Sequence, residues 1–154
     1  GSYIEDKEIQ LRASGLLDDY PELAQQSDIA VTSYNMQVLL TGQAASDEVS
    51  ATYASLISRL PRVRKVFNEV ETRAAASWED STGDTWLTLQ VKTALADVGL
   101  EGFDPLRVKV VSALGTVYLM GLLTEEEAAL VTDEVRYVRG VERVVRLFEI
   151  VTLE

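Results

Sequence analysis

The segment VLLTGQAASDEV at residues 38–49 returns as VYLMGLLTEEEA at residues 117–128, 79 residues later from glycine to glycine (121 − 42). A chain of 154 residues that repeats itself at about half its length is read first as two copies of one supersecondary unit. Ile29, Val31, Val38 and Leu40 keep that spacing with Val108, Val110, Val117 and Leu119. Flanking pairs keep a spacing of 78: Asp6, Ile9, Ala13 and Leu17 with Asp84, Leu87, Val91 and Leu95, and Val63 and Val66 with Val141 and Val144.

Within each copy the apolar period changes from helical to alternating and back, so the unit reads helix, strand, strand, helix, strand. Leu87, Val91, Ala94, Leu95 and Val98 form one helical stripe, with Asp84 as its N-cap and Gly99 as its stop. Two apolar runs around Gly115 suit a hairpin turn needing φ > 0, and Asn35 takes that turn position in the first copy. Gly42 and Gly121 are assigned to turns as well. Thr124 followed by Glu127 has capping-box spacing, which starts a helix from about 124 to 139 and leads to a third strand between about Val141 and Val151. The fold class is α+β: two tandem units, each a three-stranded sheet with two helices on one face. The joint lies in ETRAAASWEDSTG, 71–83, rich in small and polar residues. This places the units at 4–72 and 84–152, with 73–83 as a linker.

Composition removes several functions. The net charge is −11. Up to Arg73 there are 7 basic and 11 acidic residues, and beyond it 7 and 14, so neither half offers a general electrostatic grip on nucleic acid. With no cysteine and no histidine, neither a thiol nor an imidazole nucleophile–base set exists. GLEGFDPL, 99–106, lacks phosphate-loop spacing. Glu125, Glu126 and Glu127 admit a calcium reading, but a helix N-terminus favouring negative charge explains them better. A non-enzyme without cofactor or metal is therefore expected. No apolar run approaches the ~20 residues of a membrane-spanning helix. Gly1-Ser2 reads as the remnant of a cleaved tag, with a native N-terminus and its targeting segment expected upstream.

VKVVSALGTVYLMGLLTEEEA together with VRGVERVVRLFE resembles the BON domain, and two such units in tandem resemble the dual-BON outer-membrane lipoproteins of the bacterial envelope. The first unit is looser, with Asn35-Met36 in place of the family's Asn-Gly and Pro61-Arg62 in place of Gly before valine. The resemblance implies a periplasmic protein anchored to the outer membrane by an N-terminal lipid. It also implies a role in envelope integrity, with envelope or division proteins as candidate partners and anionic phospholipid bound by the second unit.

A duplicated fold keeps its core, so divergence between the copies points to function. Trp86 stands where the first unit has Glu8, and with Leu89 and Thr93 it falls on a flank well off the buried stripe at ~100° per residue. Tryptophan suits a half-wet, half-apolar surface such as a lipid headgroup layer, and Lys92 and Phe103 are added as a phosphate partner and a nearby ring. The alternative is that Trp86 packs on the linker or the first unit. Burying one Trp and one Leu yields roughly 3–5 kcal/mol, so membrane binding would need the N-terminal tether as a second signal. On the outer sheet face, Tyr118, Met120, Leu122, Val145 and Leu147 stand where the first unit has Leu39, Thr41, Gln43, Phe67 and Glu69. Such an apolar face is expected to be covered by the first unit or by another copy in a homo-oligomer, and it supplies the alternative function of a self-assembling or protein-docking scaffold. The basic sets Arg62, Arg64, Lys65 and Arg136, Arg139, Arg143, Arg146 read as solvated faces paired with the abundant acids.

Overall fold

Strands β2 (Gln37–Ala44) and β6 (Thr116–Leu123) are the centres on which the two copies are built. The computed structural model describes residues 2–80 and 85–152, and the chain divides into units 1–82 and 83–154. In the first unit, α1 (Tyr3–Asp19) and the short α2 (Pro21–Gln25) lead into β1 (Ser27–Tyr34). After β2 come α3 (Asp47–Ser58), β3 (Lys65–Asn68) and β4 (Glu71–Thr72). In the second unit, α4 (Thr85–Ala96) and a 3-10 turn at Pro105–Arg107 precede β5 (Lys109–Ala113), and β6 is followed by α5 (Glu125–Arg136) and β7 (Arg143–Ile150). Each central strand pairs antiparallel with the strand before it and parallel with the strand after its helix. This is the expected α+β arrangement of two three-stranded sheets, with β4 adding a two-residue extension to the first.

Alternation along the central strands sends one row of side chains to the helices. Val38 and Leu40 pack with Ile9, Ala13, Tyr53 and Ile57, and Val117 and Leu119 pack with Leu87, Val91, Leu95, Val131 and Val135. The cores differ by a compensating exchange. Where the first unit pairs Ala13 with Tyr53, the second has Val91 and Val131, so a small–large pair becomes two intermediate ones at similar total volume. The Tyr53 hydroxyl donates to the Ala13 carbonyl at 2.7 Å, and burial pushes its pKa up to about 12.

Both hairpins turn through two consecutive residues at positive φ: Asn35 (50°) with Met36 (63°), and Leu114 (53°) with Gly115 (81°). Left-handed conformation is costly for methionine and leucine. In the first unit the buried Asp6 of α1 offsets that cost, accepting from the Met36 N–H at 2.7 Å, the Asn35 N–H at 2.8 Å and the Ser33 hydroxyl at 2.7 Å. Its counterpart Asp84, expected as the N-cap of α4, lies outside the described residues.

Gly42 and Gly121 are not turn residues. They lie inside β2 and β6 at φ 110° and 151°. A Cβ there would drive into the carbonyl oxygen of Asp28 or of Arg107, equivalent positions where the chain enters from the preceding segment. The repeat keeps glycine for close backbone approach. Gly99 is likewise not the stop of α4. The helix ends at Ala96, because the N–H groups of Asp97 and Val98 turn back tightly to the Ala94 and Leu95 carbonyls. Similarly, α5 ends at Arg136 rather than near 139, and Gly140 (φ 98°) redirects the chain before β7.

Residues 73–80, assigned to the linker, are tied to the first unit. The Arg73 N–H donates to the Ala44 carbonyl at 2.9 Å, and the Trp78 indole N–H donates to the Arg73 carbonyl at 2.9 Å. The buried Gln43 amide accepts from the Glu79 N–H at 3.2 Å and donates to the Glu79 carbonyl.

The capping box at the start of α5 is present: Thr124 accepts from the Glu127 N–H at 3.2 Å, and Glu127 accepts from the Thr124 N–H at 2.9 Å. Arg107 adds an ion pair to Glu127 at 2.8 Å. The Thr124 N–H foremost, with Arg107 assisting and burial opposing, holds the Glu127 carboxyl below its ordinary value of 4.5. The folded state thus holds this group deprotonated more strongly than the unfolded chain does. Its stabilisation is complete above the ordinary value and disappears as pH falls through the lower folded one. Glu127→Gln is expected to cost about 0.5–1 kcal/mol at neutral pH, modest because solvent screens the pair. It should also flatten the acid-side loss of stability in the second unit. Urea unfolding of both proteins at neutral pH and on the acid side of the carboxylate range checks this.

Candidate functional site

Helix α4 has two faces, and the core uses one. Leu87, Val91 and Leu95 are buried against β5, β6 and α5. Trp86 is 56 % exposed and Leu89 58 %, with Thr93 and Lys92 also exposed beside them. At ~100° per residue Trp86, Leu89 and Thr93 span about 60° of the helix surface, and Lys92 lies about 60° further round, toward the core stripe. Four of the five residues expected at this site are therefore on one exposed helical surface. The fifth, Phe103, is half-buried and packs on the core of its own unit. The Thr93 hydroxyl donates back to the Leu89 carbonyl at 2.9 Å, so its outward contribution is its methyl group.

Sequence reasoning missed the second wall of this surface. The Trp86 ring borders Gly140, whose missing Cβ would lie 3.6 Å from the indole Cζ3. Gly140 follows Arg139, which is exposed, and the same turn carries Tyr137 at 74 % exposure. The Arg136 guanidinium lies 4.8 Å from the centre of the Tyr137 ring and donates to its hydroxyl at 2.9 Å. Tyr137 could have been noticed as an aromatic residue inside an arginine series. The approach of the turn at Gly140 to the Trp86 ring spans more than fifty residues and has no local signal.

The other expected basic pairings are present as ordinary surface contacts: Arg136 with Asp133 at 3.1 Å, Arg146 with Glu125 at 3.5 Å, and Arg62 with Glu8 at 3.4 Å. Such exposed pairs contribute little to stability.

On the outer sheet face, the register places Tyr118 opposite Val145 and Met120 opposite Leu147. Tyr118 and Met120 are buried, Val145 and Leu147 are half-buried, and Leu122 is 38 % exposed. No helix among the described residues is long and apolar enough to cross a membrane.

The profile of the BON domain matches residues 5–74 and again residues 83–152. The chain is 29 % identical over 150 residues to an outer membrane lipoprotein, DolP, of Haemophilus influenzae, covering 97 % of this chain and 76 % of that protein. It is 28 % identical over 151 residues to a 21 kDa hemolysin of Actinobacillus pleuropneumoniae, covering 98 % of this chain and 77 % of that protein. Among solved structures, CdsD, a structural protein of the type III secretion system of Chlamydia trachomatis, aligns over 96 % of this chain and 64 % of its own, with 16 % identity and a TM-score of 0.38.

Proposed function

This chain belongs to the BON-domain family, with two BON domains in tandem, and from that premise we propose that it is a non-enzymatic envelope protein that associates with an anionic phospholipid surface through its second unit. The observation that carries the reading is the pair Trp86 and Leu89, more than half exposed on a helix whose other face already fills the core. Isolated exposed apolar residues are ordinary, but an exposed indole beside a leucine, with Lys92 exposed on the same helix, combines an apolar insert with a cation for phosphate. The similarity to an outer membrane lipoprotein supports attachment to the outer membrane. A lipid tether fits the energetics, because a net charge of −11 opposes an anionic surface and one helix flank binds weakly alone.

Trp86→Glu is expected to weaken co-sedimentation with anionic vesicles roughly 10–100-fold, the loss of one buried large side chain plus a repelled charge. Its circular dichroism spectrum should match that of the parent, because Trp86 is outside the core. Unchanged sedimentation would remove α4 as the contact.

The second reading is a self-assembling or protein-docking scaffold using the outer sheet face. Contiguous apolar side chains across β6 and β7 favour it. Burial of Tyr118 and Met120 makes it the weaker of the two, since Leu122 is the best exposed of the five.

A further inference from the structure

The 78-residue offset of the repeat relates two contacts between a helix and a turn. It carries Glu8 to Trp86 (86 − 8) and Arg62 to Gly140 (140 − 62). Each pair joins α1 or α4 to the turn that follows α3 or α5. In the first unit the Arg62 guanidinium lies 3.4 Å from the Glu8 carboxylate, and Arg12 of α1 holds the same carboxylate at 2.9 Å. In the second unit the Trp86 ring borders Gly140, where a Cβ would lie 3.6 Å from its Cζ3 and 3.4 Å from the Leu87 Cδ1. Both turn residues hold positive φ, 70° at Arg62 and 98° at Gly140. Glycine takes that conformation freely and arginine takes it at a cost. The two turns therefore share a backbone conformation and differ in what they place beside the helix.

Arg62 shows where a long side chain from this turn goes: to the side chain at the helix position that Trp86 fills in the second unit. Glycine has no side chain to put there. We propose that Gly140 is the positioning residue of the lipid contact, and that the reciprocal pair, Trp86 with Gly140 against Glu8 with Arg62, decides which unit takes the lipid. A long side chain at 140 would lie on the indole and occupy the apolar surface that an acyl layer would otherwise cover. The rest of the flank already exists in the first unit. Leu11 answers to Leu89 at the same offset and is 76 % exposed. Arg12 supplies a cation once its Glu8 partner is replaced. The inference rests on the lipid-surface reading and adds to it the determinant that separates the two units.

The test moves the pair between units. Sedimentation of the full chain with vesicles of phosphatidylglycerol and phosphatidylcholine is measured, with Trp86→Glu as the baseline. Adding Glu8→Trp and Arg62→Gly to that baseline should raise binding about tenfold. Adding Glu8→Trp alone should give about fivefold less than the pair, because Arg62 still lies over the new indole. Charge alone predicts the opposite order, since the paired exchange leaves the net charge unchanged while the single exchange removes an acid and keeps an arginine. In the second unit Gly140→Gln, long and uncharged, should weaken binding about tenfold. Gly140→Ala puts the same strain on the backbone without the reach, and should stay within about threefold of the parent. With Trp78→Phe and no lipid present, acrylamide quenching of Trp86 should fall in Gly140→Gln and hold in Gly140→Ala. Should Gly140→Gln fail to fold, the exchange in the first unit, made on surface residues, still decides. No recovery with the pair, equal recovery with and without Arg62→Gly, or a folded Gly140→Gln protein that binds and quenches like the parent would overturn the role of the pair. Loss of binding on Trp86→Glu would in that case leave the surface reading standing, whereas binding unchanged by Trp86→Glu removes both.

Discussion

Gly121→Ala is expected to unfold much of the second unit while Gly99→Ala leaves it intact. The two substitutions add the same methyl group. At Gly121 it would drive into the Arg107 carbonyl oxygen from a backbone at φ 151°, whereas at Gly99 nothing lies within 4 Å. Backbone oxygen cannot rotate away as a flexible side chain can, so β5 and β6 must separate or the strand must bend. Strain at a position favouring glycine and overpacking together cost roughly 2–6 kcal/mol. A small domain has about 5–15 kcal/mol in all, so the loss takes a large part of its stability. Hydrogen exchange of the β5, β6 and β7 amides reads this directly. Those of the Gly121 variant should lose most of their protection, and those of the Gly99 variant should keep it. Gly42→Ala should do the same to β1 and β2, because its Cβ would meet the equivalent carbonyl of Asp28.

Asp6→Ala is the second large effect, and it is confined to the first unit. Three donors converge on this buried carboxylate: the Asn35 and Met36 N–H groups and the Ser33 hydroxyl. Asn35 and Met36 both hold positive φ, so the carboxylate stabilises a turn that methionine would otherwise leave. Alanine removes the acceptor and leaves those donors without it. The expected loss is about 2–4 kcal/mol, more than one neutral hydrogen bond and less than the sum of three charged ones. Urea unfolding measures the total. Exchange of the Asn35 and Met36 amides should accelerate beyond that of the helix α3 amides, which places the defect at the turn.

The parts legible in the sequence are those written in local periodicity. Alternation around Val38 and Val117 identified the central strands, and Leu87, Val91 and Leu95 identified the core face of α4. Thr124 and Glu127 marked the start of α5, three residues apart. The parts that were not legible depend on partners distant along the chain. Asn35-Met36 marked the first hairpin turn, but not that Asp6, thirty residues before Met36, accepts from the Met36 N–H. Residues 73–80 read as a linker because small and polar residues are common in linkers. Gln43, thirty-six residues before Glu79, holds them to the end of β2. The repeat marked Gly42 and Gly121 as special but not why, since the carbonyl each must avoid belongs to another strand's entry. At the candidate site the substitution of tryptophan for Glu8 was visible as a difference between copies. The turn at Gly140 was not, because chain folding rather than spacing brings it to Trp86.

The claim that Trp86 enters a lipid surface has a direct optical test, because the chain has two tryptophans, Trp78 and Trp86. Trp78→Phe removes the one whose indole donates to the Arg73 carbonyl and leaves Trp86 as the sole indole reporter. With anionic vesicles its emission should shift to the blue and be quenched by brominated acyl chains, and with zwitterionic vesicles both changes should be much smaller. Emission that stays at its aqueous wavelength while the protein sediments with the anionic vesicles would contradict the account, since the membrane would then be held by some other part of the chain.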